Sequence, residues 1–130
     1  MSELGEQLIS LVREYATLRP AFIYQSPDEH PRPWFEGKGM CQYIHEDGQA
    51  GCLIGHALLS AELIGPSLNA SCDNTASILD LVKTLQLDLD PDEVGWLRDV
   101  QREQDKGAPW GQAVAYADSH AAAAKVLTHA

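Results

Sequence analysis

Basic side chains are scarce in this chain. Its 130 residues include 9 lysines and arginines against 19 aspartates and glutamates, which gives a formal net charge of −10 at pH 7. Nucleic acids and anionic membrane surfaces attract proteins mainly through clustered lysine and arginine. Because this chain has few basic residues, we do not expect it to bind nucleic acids or membranes directly.

Long apolar runs are also missing. No stretch approaches the ~18 consecutive apolar residues of a membrane-spanning helix. The chain starts Met1-Ser2-Glu3, without the basic and apolar regions of a signal peptide. These two absences predict a cytoplasmic protein without a membrane segment.

Cysteine is rare, with three residues in the whole chain, Cys41, Cys52 and Cys72. A small, odd number in a chain expected in the cytoplasm favours free thiols over a disulfide framework. Hydrophobic residues make up 45% of the sequence, and a domain of this length buries enough apolar surface to fold without a metal or a disulfide. We expect one domain over residues 1–130 and no cofactor.

Apolar residues recur at helical spacing over most of the chain, and this periodicity predicts about five helices. The first should begin after a Ser2 cap and end before Pro20. Residues 21–24 form a short β-prone run. Asp90-Pro91-Asp92-Glu93 is the strongest helix start in the chain, because it combines an N-cap, a proline at the first position and a glutamate at the third. Gly107 should end this helix, and Pro109 opens the last one.

The segment Met40–Leu53 departs from the helical pattern. Its Asp47-Gly48 pair is a strong hairpin signal, because both residues of such a turn tolerate positive φ. A two-residue loop there would place Tyr43 opposite Cys52. An irregular, proline-rich segment, 26–39, precedes it. The predicted fold class is therefore α+β, mostly α, with about five helices around a short β-hairpin in a single compact domain.

Two Cys-x-x-x-His pairs lie in or beside the predicted hairpin, Cys41 with His45 and Cys52 with His56. Zinc prefers four nitrogen and sulfur ligands in a tetrahedron. Cys52 and His56 could chelate from one helix face, whereas Cys41 and His45 on a strand would lie on the order of 13 Å apart. A zinc- or thiol-dependent protein that uses these four residues remains an alternative, and small buried thiols are the preferred interpretation.

Catalytic patterns are weak. Cys52 at a helix start would have a favoured thiolate. A cysteine hydrolase of the papain type also needs a histidine on a later strand, and the histidines late in the chain, His120 and His129, fall in a predicted helix. Glycine-rich nucleotide-binding loops are absent from the sequence. We therefore predict that the protein is not an enzyme and assign no catalytic residue.

Acidic residues are densest between Asp88 and Asp105. A solvated helix face that keeps the protein soluble is the preferred interpretation. The functional alternatives are a surface that docks on a partner and an acidic DNA mimic that inhibits a nucleic-acid-binding protein. The residues of the candidate interaction surface are Asp92, Glu93, Trp96, Asp99 and Glu103.

Two motifs carry a resemblance to a known group. The first is Cys41-x-Tyr43 followed by Gly51-Cys52-Leu53-Ile54-Gly55-His56-Ala57-Leu58, and the second is Val100-Gln101-x-x-Gln104-Asp105-x-Gly107-x-x-Trp110-Gly111. Together they resemble the motifs of small uncharacterised proteins in actinobacteria and their phages. The resemblance implies an intracellular, phage-type protein and assigns neither an activity nor catalytic residues.

The function we expect is that of a small acidic accessory or host-interaction protein that binds a host or phage protein. A homodimer is left open. The structural centre should be the segment in which the hairpin leads into the next helix, since Gly55 permits close packing there. The residues assigned to this structural hub are Cys41, Tyr43, Cys52, Gly55 and Trp110.

Overall fold

The structure is a computed structural model and describes residues 2–24, 42–45, 47–70, 74 and 76–129. Its helices are α1 (Glu3–Leu18), α2 (Leu53–Ser60), α3 (Ile78–Leu85), α4 (Pro91–Asp105) and α5 (Trp110–His129), with a 3-10 helix at Pro66–Ala70 between α2 and α3. None of these helices, as far as they are described, is both long and apolar enough to cross a membrane. The mostly helical part of the predicted fold is confirmed.

Local capping explains where the helices begin and end. The Ser2 hydroxyl accepts a hydrogen bond of 3.0 Å from the Gly5 N–H at the start of α1. Pro91 occupies the first turn of α4, where its missing N–H costs nothing. Gly107, with φ at 100°, follows the end of α4 and turns the chain toward α5. These features are as the sequence predicts.

The core forms where α4 packs on α5 and α1 packs on α2, with α3 held against α4. The largest side chains with almost no exposure include Trp110 and Tyr43, both 0% exposed. Burying side chains of this size contributes roughly 1.5–3 kcal/mol each. The described parts of α1, α2, α4 and α5 therefore share one hydrophobic core and form a compact helical domain.

The predicted hairpin requires a correction. Within the described residues no β-strand forms, and a single antiparallel bridge joins Ile44 to Ala50. The Gly51 N–H donates to the Tyr43 carbonyl at 2.9 Å, so Tyr43 lies opposite Gly51 and the register is one residue away from the predicted one. Met40 and Cys41, at the start of the predicted hairpin, lie outside the described residues.

Asn74 supplies the physical reason why the bridge does not grow into a sheet. Its side chain accepts from the Ile44 N–H and donates to the Ile44 carbonyl, both at 2.9 Å, and its own carbonyl accepts from the Tyr43 N–H. The Asn74 carbonyl thus takes the Tyr43 N–H that would continue the hairpin ladder, and the Asn74 side chain covers the outer edge of the bridge at Ile44. The chain then enters α2 directly after Cys52.

The segment predicted as the structural hub lies in the interior. Tyr43, Cys52 and Trp110 are each 0% exposed, and Gly55 is buried. A Cβ atom on Gly55 would collide with the Tyr43 carbonyl oxygen, so this position of α2 requires glycine for the close approach of the two segments. Cys41, the fifth residue of the hub, lies outside the described residues.

Candidate functional site

Two glutamines one turn apart on α4 hold the starts of two other helices. The Gln104 Oε1 accepts from the N–H of Leu53, the first residue of α2, at 2.8 Å and from the indole N–H of Trp110 at 3.0 Å. The Gln101 Oε1 accepts from the N–H of Ile78, the first residue of α3, at 3.1 Å. The first N–H groups of a helix have no partner within the helix. The two glutamines therefore supply these buried donors with acceptors.

Tyr43 completes this network. The Gln101 Nε2 donates to the Tyr43 oxygen at 2.8 Å, and the Tyr43 hydroxyl donates to the Ala76 carbonyl at 2.7 Å. Burial raises the pKa of the Tyr43 hydroxyl well above its usual value, although the hydrogen bond from Gln101 lowers it. Tyr43 therefore remains a neutral hydrogen-bond donor at any ordinary pH.

The network joins the two sequence motifs. Tyr43 and Leu53 belong to the first motif, and Gln101, Gln104 and Trp110 belong to the second. Hydrogen bonds cross between the motifs, because Gln101 bonds to Tyr43 and Gln104 bonds to Leu53. Within the second motif, Gln104 also accepts from Trp110. The spacing of these motif residues thus reflects the buried contacts that orient α2, α3, α4 and α5.

Three of the five residues of the candidate acidic interaction surface are buried. Glu93, Trp96 and Asp99 are 1%, 6% and 8% exposed. The Glu93 carboxylate accepts hydrogen bonds from Ser2, and the Asp99 carboxylate lies 2.7 Å from the His120 Nδ1. These side chains bond to α1 and α5 and are not free to contact a partner.

Of the same five residues, Asp92 is exposed and Glu103 is partly exposed. The Glu103 carboxylate lies 3.3 Å from the Lys106 ammonium. The acidic face available on α4 is therefore smaller than the sequence suggests. A DNA mimic needs many exposed acids, so this burial weakens the support for that alternative.

Trp96 belongs to a contact between three helices. Its indole N–H donates to Asp118 on α5 at 3.0 Å, and the Arg13 guanidinium of α1 forms a bidentate pair with the same carboxylate at 2.7 and 2.8 Å. The hydrogen bond and charge of Arg13 keep the pKa of Asp118 below its usual value, against the opposing effect of burial. This contact ties α1, α4 and α5 together.

The structure weakens the alternative of a metal site at the Cys-x-x-x-His pairs. Cys52 is disulfide-bonded, so its sulfur is neither a free thiolate ligand nor a nucleophile. The expectation of a free thiol at Cys52 is corrected accordingly. Cys41 lies outside the described residues. In the described part of the chain, no group of three or more histidine, cysteine, aspartate and glutamate side chains could hold a metal ion.

The two histidines instead line one open cleft. It has a volume of about 480 Å³ and lies between the turn after α1 and the loop before α2. The side chains that matter for its chemistry are Arg19, Phe22, Ile23, Tyr24, His45 and His56. Sequence reasoning considered the two histidines as metal ligands in an alternative interpretation and did not associate them with Arg19 or with the aromatic residues.

His56 is held between two aromatic rings. Its ring centroid lies 5.0 Å from that of Tyr15 and 5.4 Å, edge to face, from that of Trp110. Burial lowers the pKa of His56, and the positive charge of Arg19 and the nearby His45 lower it further. A neutral imidazole offers one N–H donor and one acceptor nitrogen.

Arg19 and His45 occupy aromatic surfaces of the same cleft. The Arg19 guanidinium carbon lies 4.2 Å from the centroid of Phe22 and 5.9 Å from that of Trp110. The His45 ring stacks on Tyr24 with centroids 6.0 Å apart and an angle of 21° between the planes. These contacts with aromatic rings restrict the Arg19 and His45 side chains but provide no hydrogen-bond acceptor for their N–H groups.

These donors have no acceptors in the described structure. The hydrogen bonds and ion pairs of the described residues include none to the Arg19 guanidinium and none to the ring nitrogens of His45 or His56. None of the described residues that line the cleft is acidic. The arrangement can therefore bind a group that carries hydrogen-bond acceptors or negative charge.

No protein-family model, curated protein or solved structure matches the chain. The resemblance to small actinobacterial and phage proteins thus remains a prediction from the two motifs.

Proposed function

We propose that the protein is a non-enzymatic accessory protein, of the phage type that the motifs predict, and that it acts by binding another protein. The contact is made by a surface at the end of α1 that comprises Leu18, Ile23 and the cleft beside them; we name it the α1-end surface. The partner is a host or phage protein. The observation that supports the proposal is the exposure of two large apolar side chains, Leu18 at 69% and Ile23 at 47%. In the sequence, Leu18 precedes Arg19 and Ile23 follows it.

Exposed apolar side chains next to a cleft are typical of protein-binding surfaces. Burying a leucine or isoleucine on a partner contributes roughly 1.5–3 kcal/mol. Among the described residues the other large exposed apolar side chains are Leu79 on α3 and Tyr116 on α5. Leu18 and Ile23 lie five positions apart in the sequence, and we assign these two to contact with a single partner segment.

A second groove extends this surface toward α5. It has a volume of about 370 Å³, and its lining includes Ala16, Thr17, Pro20 and Val114. The turn at Pro20 borders this groove, and the residues just beyond Pro20 line the histidine cleft. A partner that covers Leu18 and Ile23 thus has concave surface available toward both α2 and α5.

The composition of the cleft supports binding over catalysis. A histidine that activates a nucleophile needs a serine, threonine or cysteine within hydrogen-bond reach, and commonly a carboxylate that orients its ring. The described residues that line the cleft include none of these. His45 and His56 are accordingly assigned to ligand contact.

The test is affinity capture from an actinobacterial lysate, for example a mycobacterial one, followed by titration with the purified captured protein. The double variant Leu18→Glu/Ile23→Glu should bind this protein at least tenfold more weakly than the wild type. Leu79→Glu, which alters an exposed apolar residue elsewhere, should bind as the wild type does. Circular dichroism verifies that both variants remain folded.

Equal binding by the wild type and the double variant would overturn the assignment of the α1-end surface as the binding site. If the captured protein is a second copy of this chain, the surface is a homodimer contact. The proposal of a host or phage protein as the partner is then overturned. Loss of binding in Leu79→Glu as well would also count against the assignment, because it would place the contact on another face.

A further inference from the structure

We propose that the cleft binds a carboxylate that adjoins an apolar side chain on the partner protein, with Arg19 as its ion-pair partner and His45 and His56 as hydrogen-bond donors. This inference rests on the proposed function and adds the chemistry of the partner to it. The observation behind it is that one guanidinium and two imidazole groups line one cleft, none of them with a hydrogen-bond or ion-pair partner in the described part of the chain.

Charge complementarity is the first argument. The whole chain has 19 acidic and 9 basic residues, yet in the described structure none of these acids forms an ion pair with Arg19. By contrast, Arg13, six residues earlier, forms hydrogen bonds with both carboxylate oxygens of Asp118. An acidic partner segment is repelled by most of a surface with net charge −10 and is attracted at Arg19.

Preorganisation is the second argument. The guanidinium of Arg19 lies 4.2 Å from the Phe22 centroid, and cation–π contact of this kind restricts an otherwise mobile side chain. The His56 ring is fixed between Tyr15 and Trp110. Since less conformational freedom is lost when a ligand arrives, more of the interaction energy is expressed as affinity.

The charge of the cleft favours a monoanion. Arg19 is the one permanently charged residue among the described residues that line it. Burial and the charge of Arg19 lower the pKa of His56, so this ring contributes an N–H donor and no positive charge at neutral pH. A carboxylate carries one negative charge and pairs with guanidinium in a bidentate geometry. A phosphate dianion would leave a negative charge without a counterion.

The remaining walls indicate what the carboxylate is attached to. The cleft also has aromatic and aliphatic surface, which comes from residues that closely follow Arg19 in the sequence, namely Phe22, Ile23 and Tyr24. Of these, Ile23 is 47% exposed. An apolar side chain beside the carboxylate would cover this surface and remove it from water. A C-terminal apolar residue, or an aspartate or glutamate next to one, has the required chemistry.

N-acetylphenylalanine is the probe for this site, because it joins one carboxylate to one apolar side chain. Its binding is followed by the NMR signals of the Arg19 Nε–H and of the His45 and His56 rings. We expect saturable shifts of these three signals. N-acetylphenylalaninamide, which differs only in lacking the charge, should bind at least tenfold more weakly, and phenyl phosphate should not bind more tightly than N-acetylphenylalanine.

Arg19→Gln should weaken probe binding at least tenfold, whereas Arg102→Gln, at an exposed arginine on α4, should leave it unchanged. Arg19→Gln should also weaken binding of the captured partner by a similar factor. Equal binding of acid and amide, or equal binding by Arg19→Gln and wild type, would overturn the site. Tighter binding of phenyl phosphate would overturn the assignment to a carboxylate. If Arg19→Gln no longer binds the probe but still binds the captured partner, the carboxylate that the cleft binds does not come from that partner.

The two proposals fail separately. If the probe does not bind but the captured partner is lost in Leu18→Glu/Ile23→Glu, the carboxylate site is overturned and the protein-binding function stands. If the probe binds through Arg19 but no partner depends on Leu18 and Ile23, the protein-binding function is overturned and the carboxylate site stands.

Discussion

The Glu93 carboxylate on α4 accepts two hydrogen bonds from Ser2, the residue that caps α1, although the two lie 91 positions apart in the sequence. The Ser2 hydroxyl donates at 2.6 Å and the Ser2 backbone N–H at 3.0 Å. The same carboxylate accepts from the Asp90 N–H at 2.8 Å. One negative charge thus stabilises the positive ends of two helix dipoles and joins the start of α1 to the start of α4.

Glu93→Gln is expected to destabilise the fold by about 1–3 kcal/mol at pH 7, because it removes the charge from a buried group that accepts three hydrogen bonds. Equilibrium unfolding in urea measures the change. Asp92→Asn, at the exposed neighbouring position, is the control and should change stability by less than about 0.5 kcal/mol. Equal effects of the two substitutions would contradict the assignment.

The effect of Glu93→Gln should depend on pH. Burial acts to raise the pKa of Glu93, but the hydrogen bonds from Ser2 and Asp90 outweigh it, so the pKa lies below its usual value. A carboxylate with a lowered pKa in the folded state contributes full stability above its unfolded pKa, about 4.5, and loses it as the pH falls further. The difference between wild type and Glu93→Gln should therefore shrink below pH 4.5. A difference that grows in acid would contradict this.

Gly5 and Gly95 provide a matched pair of helical glycines. A Cβ atom on Gly5 would collide with the Glu93 carboxylate, whereas a Cβ on Gly95 would meet no atom within 4 Å. Alanine is favoured over glycine within a helix by about 1 kcal/mol. Gly95→Ala is thus expected to stabilise the protein, and Gly5→Ala to destabilise it because Glu93 must move. Thermal unfolding of the two variants measures the contrast, and stabilisation by both would show that the Glu93 contact is dispensable.

Gln104→Ala should destabilise the fold by about 2–4 kcal/mol, since it leaves two buried donors, the Leu53 N–H and the Trp110 indole N–H, without their acceptor. Gln112→Ala, at an exposed position of α5, is the control and should have little effect. Urea unfolding followed by tryptophan fluorescence reports both. A small effect at Gln104 would mean that water replaces the side chain in this network.

The features that sequence reasoning predicted correctly are those determined by neighbours in the chain. The Ser2 cap, the Asp90-Pro91 start and the Gly107 end each depend on residues within one or two turns of the helix. The burial of Glu93 and Asp99 depends instead on where α1 and α5 dock on α4. Acidic residues are usually exposed, so the sequence pattern alone placed these two on the surface.

The hairpin and the cleft depend on contacts between distant segments. The turn signal at Asp47-Gly48 is real, because Gly48 has φ at 82°. The regular pairing stops at Tyr43, however, because the Tyr43 N–H donates to the Asn74 carbonyl and not across the hairpin. Arg19 meets His45 and His56 only after α1 has packed on α2. No local pattern around Arg19 contains this information.

The disulfide at Cys52 gives a last prediction, which opposes the expectation of free thiols. Three cysteines with two of them in one disulfide leave one free thiol per chain. Protein purified without reductant and denatured in guanidinium should therefore react with one equivalent of a thiol reagent, and with three after reduction. Because a disulfide stabilises a fold by roughly 2–4 kcal/mol, reduction should also lower the Tm. Three reactive thiols before reduction would contradict the bond, and Cys52→Ser with the Tm of the wild type would show that it contributes nothing to stability.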